Sequence, residues 1–258
     1  MAFLFHEVVF GPVRSRRLGL SLGINLLPRH RKFCSFNCIY CECGWTLPAK
    51  KEFQEMPSRE EVAGFLEQRL KELVAEDYLP DALTYAGNGE PTLHPEFSQI
   101  VDDTLHLRDL YAPQARVTVL SNASMIDVPP VFKALLKLDD NILKLDAGTP
   151  GMFEMINKPV QPVDFHKLVE KLEKFNGHLT IQSMFLRGIH NGVVVDNTGK
   201  EEVAEWISHL VKIRPRMVMI YPIARATPVH DLHKIPGTEL NAIAEKVREA
   251  GLKVQVYE

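Results

Sequence analysis

No apolar run in this 258-residue chain approaches the roughly 18 residues a membrane-crossing helix needs, so no membrane span is expected. Positive charge is not in surplus: 30 Lys and Arg stand against 33 Asp and Glu, a net charge of −3 with His neutral. A dedicated nucleic-acid-binding domain usually carries a basic excess, so the balance argues against a large RNA or DNA partner. Three catalytic signatures are missing. There is no G-x-x-x-x-G-K-[ST] phosphate loop and no G-x-S-x-G elbow, and none of the ten histidines falls in H-E-x-x-H. Hydrolase readings therefore lack a motif, and most histidines are expected at the surface. Cysteine is scarce, and all four fall between positions 34 and 43. Disulfide frameworks spread cysteines along a chain to staple distant loops, so this crowding reads as a metal site. The apolar start Met1–Phe5 has no basic n-region or long apolar stretch, and Glu7 follows it. It is read as an opening strand rather than a signal peptide, and a cytoplasmic protein is expected.

What is present is the material of a substantial core: 45% hydrophobic and 24% charged residues. Strand and helix patterns alternate. Strand-like segments are Leu20–Leu27, Ala82–Ala86, Arg116–Leu120, Ile142–Leu145, Leu179–Leu186 and Met217–Tyr221. Between them run helical periodicities. One opens on the capping box Ser58/Glu61 and turns Val62, Phe65, Leu66, Leu70 and Leu73 inward. Another covers Pro95–Leu107, and a third starts after Asp127 with Pro129 and Pro130 in its first turn. A fourth carries Phe165, Leu168, Val169, Leu172 and Phe175. A second capping box, Thr198/Glu201, opens a helix with Val203, Ile207, Leu210 and Val211 inward. A last helix with Leu240, Ile243 and Val247 ends at Gly251, and Lys253–Tyr257 alternates like a terminal strand. Six β-then-α units imply a parallel sheet with right-handed crossovers, closed fully or partly into an α/β barrel. The expected fold is a partial (β/α)6 TIM-like barrel forming one domain over 1–258. Within it, 1–19 is an edge segment, 20–225 the core barrel, and 226–258 a C-terminal helix and strand. Chemistry in such barrels gathers at the C-terminal ends of the strands.

The cysteine segment reads Cys34-Ser35-Phe36-Asn37-Cys38-Ile39-Tyr40-Cys41-Glu42-Cys43, spacing C-x3-C-x2-C with an aromatic before the third cysteine. Three thiolates on a compact loop can hold three corners of a 4Fe–4S cubane and leave the fourth iron open. A structural zinc site on all four cysteines is the alternative, but zinc knuckles are normally separated by a longer loop. Cys43 is read as a spare thiol, with a fourth-ligand role as the alternative. Lys144 and Asp146 share one side of their strand by period-two alternation. If that side faces the interior they form a buried pair or hold a ligand's carboxylate and hydroxyls; a structural ion pair is the plain alternative. The basic runs Arg14-Ser15-Arg16-Arg17 and Arg29-His30-Arg31-Lys32 read equally as solvated loop surface or as substrate-facing.

The cysteine spacing resembles the signature of the radical S-adenosylmethionine (radical SAM) superfamily. Phe10-Gly11-Pro12-Val13-Arg14-Ser15-Arg16-Arg17-Leu18-Gly19-Leu20-Ser21-Leu22-Gly23 and Gly87-Asn88-Gly89-Glu90-Pro91-Thr92-Leu93-His94-Pro95 resemble its small iron–sulfur oxidoreductase branch, related to wyosine-forming tRNA enzymes. The resemblance covers about residues 10 to 225. It implies a 4Fe–4S cluster on Cys34, Cys38 and Cys41 and reductive cleavage of S-adenosyl-L-methionine to methionine and a 5′-deoxyadenosyl radical, which takes hydrogen from a substrate. It assigns Gly89 and Glu90 to the methionine amino group and Asn122, after Ser121, to the cofactor's ribose or carboxylate. Tyr40 would meet adenine through its backbone, Gln182 would sit on a cofactor-contacting strand, and Tyr221, in Tyr221–Arg225, would flank adenine or substrate. Asn157-Lys158-Pro159 is given a substrate-side role. A one-electron donor of flavodoxin or ferredoxin type is implied. No cysteine remains for a second cluster. The substrate classes left open are a tRNA or nucleoside and a small metabolite or peptide.

Overall fold

The computed structural model describes residues 3–46 and 56–258. Six parallel strands form where the apolar runs fall: β2 (Gly19–Ile24), β3 (Ala82–Tyr85), β4 (Arg116–Ser121), β5 (Asp140–Lys144), β6 (Thr180–His190) and β8 (Met217–Pro222). They lie side by side in that order, and β10 (Val254–Val256) adds a seventh parallel strand beside β8. Helices cross over between them: α1 (Arg59–Ala75), α2 (Phe97–Tyr111), α3 (Pro129–Lys137), α4 (Pro150–Asn157) with α5 (Phe165–Glu173), α6 (Lys200–Ile213) and α7 (Gly237–Glu249). The sheet stays open. At its first edge β1 (Val9–Ser15) pairs antiparallel with β2, and β10 is the opposite edge. The result is the expected mostly parallel partial barrel.

The local signals account for most of these elements. Ser58 and Glu61 form the reciprocal cap of α1, whose buried stripe is Val62, Leu66, Leu70 and Leu73. Phe65 lies a quarter turn off that stripe and is 47% exposed, against its expected inward position. Val211 on α6 is likewise exposed. The Thr198/Glu201 box does not form: the Thr198 hydroxyl donates to Asp196 and Gly199 takes the cap position. Glu202 instead turns inward, accepting from the Thr149 backbone N–H and hydroxyl at the start of α4. Gly251 ends α7 at φ +79.

Four expectations are corrected or supplemented. Phe3–Phe5 is irregular rather than a strand, and Met1 and Ala2 lie outside the described residues. Helix α4 carries no expected counterpart. β6 runs on past the barrel and pairs antiparallel with β7 (Val193–Asp196) and β9 (Leu232–Lys234), a small sheet the sequence reading lacked. Finally, most histidines are exposed, as expected, and His94 and His209 are the buried exceptions. The main core lies between the sheet and its helices, from Leu22 and Ile24 through Leu83, Val117 and Val119 to Leu143, Ile181 and Val218.

Candidate functional site

The C-terminal ends of the parallel strands surround a cavity of about 460 Å³, and most of the residues singled out from the sequence line it: Cys34, Cys38, Tyr40, Cys41, Gly89, Glu90, Asn122, Lys144, Gln182 and Tyr221. The cysteine loop follows β2 and is held from two sides. On one side Phe33 pairs with Gly89: its N–H donates to the Asn88 carbonyl at 2.8 Å and its carbonyl accepts from Glu90 N–H at 3.1 Å. On the other, Asn37 and Ile39 donate to the carbonyls of Lys158 and Ile156, both at 2.9 Å, and Val160 donates to Ser35 at 2.8 Å. The Asn157-Lys158-Pro159 segment thus lies against the cysteine loop, with the Lys158 carbonyl accepting from Asn37 and Pro159 bridging Phe36. Asn88, between the two glycines, is wholly buried and ties Phe5 and Pro28 to the same turn.

The thiols are free and sit in a mixed field. Burial pushes Cys34 up to about 12 and raises Cys38, opposed by Lys32 and Lys144 respectively. Cys41 is lowered, chiefly through its interaction with the neighbouring Cys43 side chain, and Cys43 is raised correspondingly. Lys32 was seen in the sequence only as part of a basic run. It is 3% exposed and donates to the Gly44 carbonyl at 3.0 Å. Burial would lower its pKa, but the three thiolates raise it more.

Glu90 is 1% exposed. Its Oε1 accepts from Thr92 N–H (3.0 Å), Thr92 Oγ1 (2.6 Å) and Ser121 Oγ (2.9 Å), while Oε2 accepts from Asn122 N–H (2.6 Å). Burial raises its pKa, and these donors oppose the rise. Oε2 has one partner and the carboxylate lines the cavity, so it can accept from an ammonium group. The Asn122 side chain is engaged with the cysteine loop instead of standing free: Nδ2 donates to Ser35 Oγ at 2.9 Å and approaches Cys34 Sγ at 3.5 Å, and Oδ1 accepts from Ser124 N–H.

Lys144 and Asp146 form the interior pair, 3.4 Å apart. Asp146 is not in the cavity wall. It lies behind Tyr40, 2% exposed, accepting from the Tyr40 hydroxyl, from Asn157 Nδ2 (2.7 Å) and from Met184 N–H (2.9 Å). With these donors in place it holds Tyr40 and Asn157. Lys144 donates to the Tyr40 hydroxyl at 2.5 Å; burial would lower its pKa, and Asp146 with Tyr221 and the nearby thiolates raises it more. Gln182 Oε1 accepts from Arg17 (2.9 Å) and Tyr221 (3.3 Å).

Three thiols on one clamped loop, offset by the ammonium groups of buried Lys32 and half-buried Lys144, suit an iron–sulfur cluster. Asn122 and Asn157 amides lie 3.5 Å from the sulfurs of Cys34 and Cys38, the kind of contact that tunes a cluster's potential. Among the described residues no group of three or more His, Cys, Asp and Glu is arranged to hold a single metal ion.

Fold and site together define a partial α/β barrel with a thiol-lined chamber at its mouth. The Radical SAM superfamily model matches residues 29–210, and the chain belongs to that superfamily. It is 31% identical over 252 residues to a GTPase Obg of Brachyspira hyodysenteriae, covering 96% of this chain and 34% of that protein. It is 32% identical over 188 residues to a UPF0026 protein of Helicobacter pylori, covering 71% and 58%. The chain therefore spans less than two thirds of either relative. In fold it matches a radical SAM methyltransferase from Sphaerobacter thermophilus (TM-score 0.67, 14% identity, 92% of this chain and 65% of that one). It also matches archaeal TYW1 (TM-score 0.53, 11% identity, 89% and 72%). Among the described residues no helix is long and apolar enough to cross a membrane.

Proposed function

We propose that the chain is a radical SAM enzyme holding one 4Fe–4S cluster on Cys34, Cys38 and Cys41. The observation that carries this is the shared cavity, where those thiols meet Glu90 after β3, Lys144 at the end of β5 and Gln182 on β6. When bound, the cluster would supply one electron to S-adenosyl-L-methionine, releasing a 5′-deoxyadenosyl radical that abstracts hydrogen from a substrate.

The chain's residues then have separable tasks. Glu90, with a free acceptor position on Oε2, would take the cofactor's ammonium group. Lys32 and Lys144 offset the negative charge of the thiolates. Asn122 and Asn157 orient the cysteine loop. Tyr40, fixed by Lys144 and Asp146, with Gln182 and Tyr221 opposite, would line the nucleoside end. Cys43, whose thiol donates to the Gly87 carbonyl at 3.5 Å, stays outside the ligand set. Four free thiols suit a reducing, cytoplasmic setting with a flavodoxin- or ferredoxin-type donor. The substrate is a small molecule, a peptide or a tRNA nucleoside.

The test is anaerobic reconstitution, with iron and sulfide counted per chain and 5′-deoxyadenosine measured after adding reductant and cofactor. Cys34→Ala, Cys38→Ala and Cys41→Ala should each abolish the product, and Cys43→Ala should keep most of it. A colourless, zinc-loaded protein that forms no 5′-deoxyadenosine would end the reading.

A further inference from the structure

The cavity is basic in a chain that is acidic overall. Six cations line it (Arg14, Arg16, Arg17, Lys32, Lys144 and Arg225) against the carboxylates Glu42 and Glu90. Half of those cations are locally matched: Lys32 and Lys144 face the thiols and Asp146, and Arg225 pairs with Glu42 at 2.5 Å. The arginines of the β1–β2 hairpin are different. Eight other arginines pair with carboxylates: Arg59, Arg69, Arg108, Arg116, Arg187, Arg216, Arg225 and Arg248. Among the described residues Arg14 and Arg17 have no carboxylate partner, although carboxylates outnumber cations in the chain, and Arg16 donates to the Glu258 main-chain oxygen.

Arg17 is nevertheless held in place. Ser15 Oγ accepts from the N–H groups of Arg17 and Leu18 and shapes the turn. One guanidinium nitrogen donates to Gln182, itself 5% exposed, and the guanidinium carbon lies 4.9 Å from the Tyr221 ring centroid. These partners are neutral. They fix the guanidinium across the mouth and leave most of its donors for a ligand.

We infer that the Arg14–Arg17 turn is the recognition site for an anionic group on the substrate, a phosphate ester or a carboxylate, which would engage Arg17 and Arg14 through charge-assisted hydrogen bonds. The inference rests on the cavity being the reaction chamber, and it deepens that reading by naming the substrate's charge.

The probes are inorganic pyrophosphate and citrate, titrated calorimetrically into the protein as purified and after anaerobic reconstitution, with S-adenosyl-L-methionine in excess to fill the cofactor end. At least one anion should bind saturably, and more weakly as salt rises. The Arg14→Gln/Arg17→Gln double variant should bind it at least about tenfold more weakly. Arg248→Gln, on the distant α7, should bind as the parent does. Tighter pyrophosphate binding assigns a phosphate ester, and tighter citrate binding a polycarboxylate. If the double variant fails to fold, Arg14→Glu, at an exposed position, should show the same loss. Saturable binding of neither anion, or undiminished binding by the variants, overturns the site. Anion binding without deoxyadenosine formation would remove the proposed chemistry and leave the site; deoxyadenosine formation without anion binding would do the reverse.

Discussion

Gly89 shows how a single residue sets the chamber. Its φ of +145 is one that L side chains rarely adopt, and a Cβ there would stand 1.8 Å from the Phe33 carbonyl oxygen. The glycine is what lets the β3 turn lie against the backbone of the cysteine loop. Gly89→Ala should cost about 1–3 kcal/mol in backbone strain alone, and more through displacement of Phe33. Thermal unfolding and iron per chain after reconstitution would read both effects; a variant that loads iron like the parent at the same melting temperature contradicts the clamp. His94 makes a second prediction, on pH. It is buried, its Nε2 hydrogen-bonds the Pro57 carbonyl, and its Nδ1 accepts from Glu96 N–H. Burial holds its pKa below 6.5, against the pull of Pro57 and Glu96. A depressed folded pKa gives a stability contribution that is present above the unfolded value of 6.5 and lost as pH falls through the folded one. Protonating Nδ1 would also break its bond from Glu96. Urea midpoints measured from about pH 8 to pH 5 should fall less in His94→Gln than in the parent; parallel curves would refute the assignment.

The elements that position the site divide into those whose signals are local and those whose signals are not. β2–β6, β8 and α1 follow from apolar runs and a capping box. The Cys, Gly-Asn-Gly-Glu and Lys-x-Asp motifs mark three strand ends directly. What the pattern conceals is tertiary partnership. Asp146 has the sequence look of a ligand-facing acid, yet Asn157 and Met184, supplied by α4 and β6, draw it behind Tyr40. Helix α4 itself is short, and only Thr149 before Pro150 hints at its start. Ile156 in its last turn and the segment after it hold the cysteine loop through backbone bonds that no side-chain motif encodes. Asn157 is the side chain in that clamp: wholly buried, it donates to Asp146 and lies 3.5 Å from Cys38 Sγ. Asn157→Ala should remove a donor from the buried carboxylate at a cost of about 1–3 kcal/mol and loosen the loop. We expect a lower urea midpoint together with fewer irons per chain. A destabilised variant that still fills completely would show that α4 supports the fold without shaping the ligand loop.

At the scale of the molecule, the open sheet makes the last helix and strand part of the barrel. β10 pairs in parallel with β8 at Val254↔Val218 and Val256↔Ile220, while α7 buries Leu240, Ile243, Ala244 and Val247. Without them β8 becomes a sheet edge with unpaired backbone donors and acceptors beside the Tyr221 side of the chamber. Tyr257, the residue after β10, also lines the cavity, so pairing of β10 places a residue of the site. If 226–258 were an appendage, a chain ending at residue 235 would keep a normal unfolding transition and stay monodisperse. If it is integral to one domain, the full chain should unfold in a single transition, coincident by circular dichroism and fluorescence. The shortened chain should then aggregate or melt at least about 10 °C lower, since losing four buried apolar side chains and a strand pairing outweighs the stability margin of most domains. Calorimetry and size-exclusion chromatography of the two chains decide between these outcomes. A shortened chain that stays monomeric, melts within a few degrees of the parent and loads iron would place the boundary of the working barrel at β8.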